Sequence, residues 1–198
     1  MNELIQVVQV LTPDEVLLVN EEIDKKEFIV SSIGFPEGRV DSDIRSSSGC
    51  YLLDDERAAQ IMHEGMNNAL LEYRKRLMKI HPEFDGYPVP GGFMTTSNRE
   101  LIQVLEYVKN QKYTWHTDAS PQPNSKEYHR KISVILYLSE DFEGGTTKFA
   151  HREYKPPIGH ALIFPSNWCF PHTGTQVTSG KKRVAVTWYY VNDINWPF

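Results

Sequence analysis

The segment 116–118 carries two metal-binding side chains, His116 and Asp118, two residues apart. Successive side chains of a β-strand point to opposite faces, so His116 and Asp118 would share one face and could bind the same ion. A second imidazole is available at His172, which ends an aromatic run that starts at Trp168. Two histidines and one carboxylate form the facial ligand set of non-haem Fe(II) centres, which leaves coordination positions open. We therefore predict that His116, Asp118 and His172 bind Fe(II).

A cationic position follows ten residues after His172, where Lys182 begins a β-rich segment. The period of a strand places four side chains on one face of this segment: Lys182, Val184, Val186 and Trp188. A cation on that face could bind the far carboxylate of a dicarboxylate whose other end binds the metal. Lys181 and Arg183 would point outward, but Arg183 remains an alternative because arginine offers a carboxylate a bidentate fork.

Five segments together resemble, in order and spacing, the Fe(II)/2-oxoglutarate dioxygenases of the prolyl 4-hydroxylase type. These segments are 116–118, 130–139, 144–149, 159–165 and the pair His172 and Lys182. The resemblance covers about residues 100–191. It implies Fe(II), 2-oxoglutarate as cosubstrate, and O₂, with hydroxylation of a C–H bond while 2-oxoglutarate becomes succinate and CO₂. It also implies ascorbate as a reductant that rescues oxidised iron.

The same resemblance suggests roles for residues beyond the metal ligands. Counting back six residues from Trp188, as the family pattern does, selects Lys182 for the far carboxylate. Tyr137 matches a position whose hydroxyl binds that carboxylate, although a buried tyrosine with a satisfied hydroxyl is the alternative. Tyr107 resembles another tyrosine of the 2-oxoglutarate pocket. Trp188 and Arg130 are candidates for contact with the substrate.

The remaining histidines are interpreted as residues that bind no metal: His63, His81, His129, His151 and His160. Of these, His160 is the strongest alternative ligand. The chain departs from the family's usual sequence at 144–147, where it reads Gly-Gly-Thr-Thr instead of Gly-Gly-Glu-Thr, and at 119–120, where an aromatic residue is common. These departures spare the proposed ligands and leave the identity of the substrate open.

Two N-terminal helices are predicted ahead of a β-rich region. Thr12, Pro13 and Glu15 form a capping-box pattern, so a helix should run from there to about Lys25. From Asp54 a second, long helix is indicated by apolar residues at steps of three or four: Ala58, Met62, Met66, Ala69, Tyr73, Leu77 and Ile80. Both helices are expected to support a sheet.

Short strands separated by turns are predicted over the rest of the chain: 27–31, 49–52, 101–109, 113–118, 131–138, 146–150, 160–164, 168–172 and 183–191. Strands at this spacing favour a sandwich or barrel. With the resemblance, we expect a mainly β fold with flanking helices, a double-stranded β-helix of the jelly-roll, cupin-like kind. Trp115 and Trp168 are expected in the core.

Residues 1–198 are interpreted as one domain, with helical support and loops over 1–100 and the catalytic core over 101–191. Three loops are candidates to close over a substrate: 34–48, 81–99 and 119–130. A net charge of −5 disfavours nucleic acid as a partner. The two cysteines, the lack of a signal-peptide pattern and the lack of a membrane-length apolar run favour the cytoplasm and no membrane.

Three functions fit these observations. The favoured one is hydroxylation of a protein or peptide side chain, with proline first. The second is the same oxidative chemistry on a free amino acid, a small metabolite or a modified nucleobase. The third is a non-catalytic, cupin-like metal-binding protein that uses the ligands for another metal.

Overall fold

The computed structural model describes residues 2–31, 41–83, 97–123 and 125–191. Two α-helices are present in these ranges, α1 (Pro13–Ile23) and α2 (Arg57–Ile80). The strands are β1 (Gln6–Gln9), β2 (Ile29–Val30), β3 (Ser48–Leu52), β4 (Ser97–Arg99), β5 (Ile102–Tyr107), β6 (Tyr113–His116), β7 (Arg130–Tyr137), β8 (Phe142–Gly144), β9 (Thr147–Phe149), β10 (Arg152–Tyr154), β11 (His160–Pro165), β12 (His172–Gly174), β13 (Val177–Gly180) and β14 (Lys182–Val191).

The strands of the described residues form three antiparallel sheets, and the two larger ones pack against each other. The large sheet has the order β1-β11-β7-β14-β5-β3-β2, with β4 also paired to β14. The small sheet has the order β10-β9-β12-β6, and β13 pairs with β8. One cluster of buried side chains joins the sheets, with Phe149 from the small sheet and Phe164 and Val184 from the large one. This arrangement confirms the predicted mainly β, jelly-roll fold with flanking helices.

Helix α1 begins with the predicted capping box. The Thr12 hydroxyl accepts a hydrogen bond from the Glu15 backbone N–H (3.3 Å), and the Glu15 carboxylate accepts one from the Thr12 N–H (2.8 Å). Pro13 occupies the first turn, where the missing N–H costs nothing. The helix buries Val16, Val19 and Ile23.

Helix α2 packs its apolar stripe into the core that the helices share with the large sheet. Every predicted stripe residue is buried except the last, Ile80, which is exposed. At Gly65 a side chain would collide with the backbone oxygen of Val10, so glycine lets the helix approach the chain just before α1. The Tyr73 hydroxyl also donates to the Leu4 carbonyl (2.8 Å). The single-domain interpretation of residues 1–198 stays a prediction.

Several predicted elements were wrong or only partly right. The segment 168–172 is not a strand. Trp168 is 82% exposed and lies in a turn, and β12 begins only at His172. Trp115 is 52% exposed because it alternates with His116, which faces the interior. The predicted strand 27–31 is reduced to β2. Strands β1, β4, β8, β10 and β13 were not predicted.

All three loops expected to close over a substrate lie partly outside the described residues. For 34–48 the described part begins at residue 41, for 81–99 the residues 84–96 are outside, and for 119–130 residue 124 is outside. Among the described residues, neither helix is apolar enough over a sufficient length to cross a membrane.

Candidate active site

The three predicted metal ligands come together at the end of β6 and the start of β12. Their donor atoms all lie within 4.8 Å of one another. The Nε2 atom of His116 is 3.6 Å from Oδ1 of Asp118, and the Nε2 atom of His172 is 3.8 Å from Oδ2. Strand β6 ends at His116, so Asp118 projects from just beyond the strand and not from within it as predicted. The structure therefore brings all three side chains to one point.

Backbone carbonyl groups orient both imidazoles. The Nδ1 atom of His116 is 2.8 Å from the Thr114 carbonyl oxygen, and the Nδ1 atom of His172 is 3.2 Å from that of Phe170. A carbonyl oxygen only accepts hydrogen bonds, so each Nδ1 carries the hydrogen and each Nε2 presents its lone pair to the site. Metal-binding histidines are fixed in this way by the partner of their other nitrogen.

Aromatic rings enclose the two imidazoles. His116 stacks on Tyr113, with ring centroids 3.7 Å apart. His172 lies against Phe149 and Phe164, with centroids 5.4 and 4.9 Å away. Burial lowers the pKa of His172 to about 4, so its imidazole is neutral at pH 7. Neutral imidazole is the form that binds a metal.

The Asp118 carboxyl is buried and ionised. Burial by itself raises its pKa, but the adjacent imidazoles of His172 and His116 and the hydrogen bond from the Ser133 hydroxyl hold the pKa below its usual range. Among the described residues, the side-chain nitrogens within ion-pair distance of its oxygens are those of these two histidines, and no lysine or arginine bonds the carboxylate. A buried carboxylate without a cation is costly.

This donor set fits a divalent iron ion. Two donor atoms that each bind one ion at about 2.1 Å are separated by at most about 4.2 Å, and the two nitrogen-to-carboxylate distances fall within that limit. A cation would also neutralise the Asp118 carboxylate. Two imidazoles and one carboxylate on one side leave the other coordination positions to smaller ligands.

A cavity of about 510 Å³ extends from these ligands to Lys182. The lysine side chain is buried, and among the described residues no carboxylate lies within ion-pair distance of it. Burial lowers the pKa of Lys182 to about 7. As predicted, the cavity wall takes every second residue of β14: Lys182, Val184, Val186 and Trp188. A buried amine facing a cavity is suited to an anionic ligand.

The two predicted tyrosines lie beside Lys182. Its Nζ is 5.0 Å from the ring centroid of Tyr137 and 5.6 Å from that of Tyr107. Tyr107 lines the cavity and lies opposite Lys182 in the ladder between β5 and β14. Tyr137 is fully buried, and its hydroxyl shares a hydrogen bond of 2.8 Å with Thr147, which lines the cavity. Thr147 is thus a further polar group near Lys182 that was not predicted.

Arg183 lies on the face of β14 opposite the cavity. We predicted that it would point outward, but its side chain is buried. Its guanidinium is buried and bonds Glu106 (2.7 Å), Asn20 (2.8 Å) and Asp24 (2.6 Å). Lys181, on the same side, is exposed and pairs with Glu106 (3.0 Å). Geometry therefore favours Lys182 over Arg183 as the cation of the cavity.

Arg130 and Trp188 form the wall on the other side of the metal ligands. The Arg130 guanidinium lies 3.6 Å from the centroid of the Trp188 ring. It makes a bidentate ion pair with Glu100, with distances of 2.6 and 2.8 Å, and donates to the backbone oxygen of Asp118 (3.1 Å). Glu100 and the Ser133 hydroxyl, which bonds Asp118, were not predicted.

The other histidines bind different partners. His63 accepts a hydrogen bond from Arg99 (2.8 Å), and His81 lies 3.1 Å from Glu3. His160 is held by the Ile158 carbonyl at 3.1 Å. Among the described residues, the one group of three or more side chains that could hold a metal is His116, Asp118 and His172.

Comparison with known proteins agrees with this geometry. Residues 102–191 match the family model of the 2OG-Fe(II) oxygenase superfamily. A PKHD-type hydroxylase of Shewanella frigidimarina is 34% identical over 91 residues, covering 41% of this chain and 39% of the relative. Prolyl 4-hydroxylase 1 of Arabidopsis thaliana is 30% identical over 173 residues, covering 75% of this chain and 54% of the relative. The chain thus spans about half the length of these curated relatives or less.

Solved structures show the same fold. A prolyl hydroxylase from Trichoplax adhaerens, in complex with a hypoxia inducible factor oxygen degradation domain peptide fragment, has a TM-score of 0.68 at 19% identity. That match covers 95% of this chain and 84% of the other. A Pseudomonas putida prolyl-4-hydroxylase has a TM-score of 0.66 at 16% identity, covering 96% and 93%.

Residues 102–191 are thus similar in sequence to the 2OG-Fe(II) oxygenase superfamily, and the His-Asp-His cluster lies within this matched region. The curated relatives and the solved structures with this fold include proteins named prolyl 4-hydroxylases. The family's cofactors are Fe(II), 2-oxoglutarate and O₂.

Proposed function

We propose that the chain is an Fe(II)/2-oxoglutarate-dependent dioxygenase that hydroxylates proline in a protein or peptide. The observation that carries this proposal is the cavity itself, which has His116, Asp118 and His172 at one wall and the buried amine of Lys182 at another. A metal ion at one wall and an amine at the other would give each end of a dicarboxylate such as 2-oxoglutarate a binding partner.

In this proposal His116, Asp118 and His172 hold Fe(II). When bound, Fe(II) with 2-oxoglutarate and O₂ supplies the oxidation that inserts one oxygen atom into a C–H bond, while 2-oxoglutarate becomes succinate and CO₂. Two neutral imidazoles and one carboxylate leave the site with a net charge near +1, which favours an anionic cosubstrate. The chain's own contribution is to bind and orient the reactants.

Lys182 binds and orients the far carboxylate of 2-oxoglutarate. The dianion stabilises the charged form of the lysine, which burial disfavours in the free protein. Tyr107 lines the cavity beside it, and the hydrogen-bonded pair of Tyr137 and Thr147 offers hydroxyl groups near the same carboxylate. The apolar side chains of Val184 and Val186 keep water from the space between the metal and the amine.

The substrate side of the cavity suits an extended peptide. Tyr51 and Leu101 line it and are 57% and 40% exposed, so the mouth offers apolar surface to a partner. Arg130 lies over the Trp188 ring, and both side chains line the same cavity. The relatives named prolyl 4-hydroxylases, and the fold neighbour solved with a peptide fragment, support proline in a peptide as the target.

Two further properties belong to the proposal. The family resemblance supports ascorbate as the reductant that returns iron oxidised without substrate to Fe(II). The free cysteines Cys50 and Cys169 support a reducing, cytoplasmic setting.

The test is incubation of the protein with Fe(II), 2-oxoglutarate and a library of proline-containing peptides, each matched to a copy with alanine in place of proline. Mass spectrometry should find a gain of one oxygen in proline peptides alone, with one succinate formed per oxygen gained. The His172→Ala variant serves as the inactive control. Oxygen gain confined to small molecules in a host lysate would contradict the peptide substrate, and absence of succinate under all conditions would contradict the enzyme.

A further inference from the structure

We propose that Ser133, backed by Ser166, is a positioning residue that holds the Asp118 carboxylate in the orientation in which it would bind the metal. This inference rests on the proposed function and deepens it. It assigns a task to two serines that lie behind the metal ligands and face no solvent.

The contacts are short and buried. Ser133 Oγ lies 2.6 Å from Oδ2 of Asp118, and 2.8 Å from Oγ of Ser166. Both serines are 1% exposed. A hydrogen bond to an ionised carboxylate is shorter and about twice as strong as one between neutral groups.

The direction of both hydrogen bonds follows from the charge of Asp118. An ionised carboxylate can only accept, so the Ser133 hydroxyl must donate its single hydrogen to Oδ2. That hydroxyl then has only acceptor capacity left for Ser166, so Ser166 donates to Ser133. The relay runs from Ser166 through Ser133 to Asp118.

This relay leaves both oxygens of the carboxylate beside the ligand cluster. Oδ2 receives the Ser133 hydrogen and lies 3.8 Å from Nε2 of His172, while Oδ1 is 3.6 Å from Nε2 of His116. The hydrogen bond from Ser133 thus fixes the rotation of the carboxylate, so that its oxygens face the two imidazole nitrogens that would bind the same ion.

The backbone fixes the serines in place. Ser133 lies within β7, where it pairs with Phe164 of β11. Ser166 follows β11, and its N–H donates to the Lys131 carbonyl (3.0 Å) while its own carbonyl accepts from the Ala119 N–H (2.9 Å). Ala119, which directly follows Asp118, is therefore hydrogen-bonded to Ser166, the serine that donates to Ser133. The large sheet, and not a loop, sets the direction of the carboxylate.

The experiment is a titration of the metal-free protein with Mn²⁺, which has the same charge as Fe(II) and is not oxidised under these conditions. Electron paramagnetic resonance measures the concentration of free Mn²⁺ at each step. Ser133→Ala should weaken Mn²⁺ binding by about tenfold or more, as is typical when the partner of a metal ligand is removed. Ser133→Thr keeps the hydroxyl and suits a strand, and it should bind within about threefold of wild type. Ser166→Ala should lie between the two.

Ser139→Ala is the matched control, because its hydroxyl bonds only backbone groups, the Lys181 carbonyl and the Arg183 N–H, at the other end of β7. It should change thermal stability without changing Mn²⁺ affinity. Unchanged Mn²⁺ affinity in a folded Ser133→Ala variant would overturn the inference and leave the proposed function standing. A wild-type protein that fails to bind Mn²⁺ would overturn both. A weaker affinity in Ser166→Ala than in Ser133→Ala would contradict the direction of the relay.

Discussion

His116 and His172 lie directly opposite each other in the antiparallel ladder between β6 and β12, with their ring centroids 4.3 Å apart. The backbone hydrogen bonds of two strands therefore set the distance between two metal ligands that are far apart in the sequence. Lys182 is placed in the same way, opposite Tyr107 in the ladder between β5 and β14. Such a site is preorganised, because its geometry comes from sheet register.

The first prediction concerns the ligand role of His172. His172→Ala should abolish 2-oxoglutarate turnover, since the remaining imidazole and carboxylate cannot hold the ion in a facial set. The matched variant is His160→Ala, which removes a partly buried histidine that is held by a backbone carbonyl away from the cluster. It should keep most of the activity. Succinate release measures both variants, and equal losses in the two would contradict the assignment.

The second prediction separates Lys182 from its neighbour. Lys182→Ala should raise the KM for 2-oxoglutarate by about tenfold to a hundredfold, the loss expected for a charge-assisted contact of about 1.5–3 kcal/mol. Arg183→Ala should leave that KM unchanged and lower the melting temperature, because it removes a buried guanidinium that bonds Glu106 and Asp24. The opposite pattern in the two variants would assign the carboxylate to Arg183.

A third prediction is the pH dependence of cosubstrate binding. Lys182 has a pKa of about 7 in the free protein, so it is a cation below pH 7 and neutral above it. Binding of a dianion requires the cation, and the affinity for 2-oxoglutarate should therefore fall by up to about tenfold per pH unit above 7. Lys182→Arg stays charged and should flatten this profile. A profile of the same slope in both proteins would mean that another group titrates.

The fourth prediction tests the wall that faces the substrate. Glu100→Gln removes the charge of the bidentate partner of Arg130, so the guanidinium should lose its fixed place on Trp188. The KM for a peptide substrate should rise by about tenfold, while 2-oxoglutarate turnover without peptide stays the same. Glu127→Gln alters a looser contact, 4.0 Å from the same guanidinium, and should have the smaller effect. An equal effect of the two variants would contradict the role of Glu100.

The helices were predictable because their signals are local. The capping box at Thr12 and the apolar stripe from Ala58 to Leu77 depend on neighbours within one or two turns of the chain. Strand β1 was missed because it has four residues, and its partner β11 lies far along the chain. The aromatic content of 168–172 resembled a strand, but a strand requires backbone pairing with a neighbour, which composition alone does not reveal.

The site was predictable where the ligand pattern itself carries the chemistry. His116, Asp118, His172 and Lys182 were found from residue type and spacing together with the resemblance. Ser133, Thr147 and Glu100 were not, since each acts through a contact with a residue distant in sequence. Nothing in the sequence around Ser133, a single serine among strand-forming residues, indicates that its hydroxyl bonds the Asp118 carboxylate.

The central claim is that His116, Asp118 and His172 hold Fe(II) in a cavity where Lys182 receives the far end of 2-oxoglutarate. Its most direct test is an anaerobic titration of the metal-free protein with Fe(II) and 2-oxoglutarate, followed by visible absorption. We predict a metal-to-ligand charge-transfer band that requires both additions and is absent with either alone. A folded protein that shows no band with both would contradict the claim.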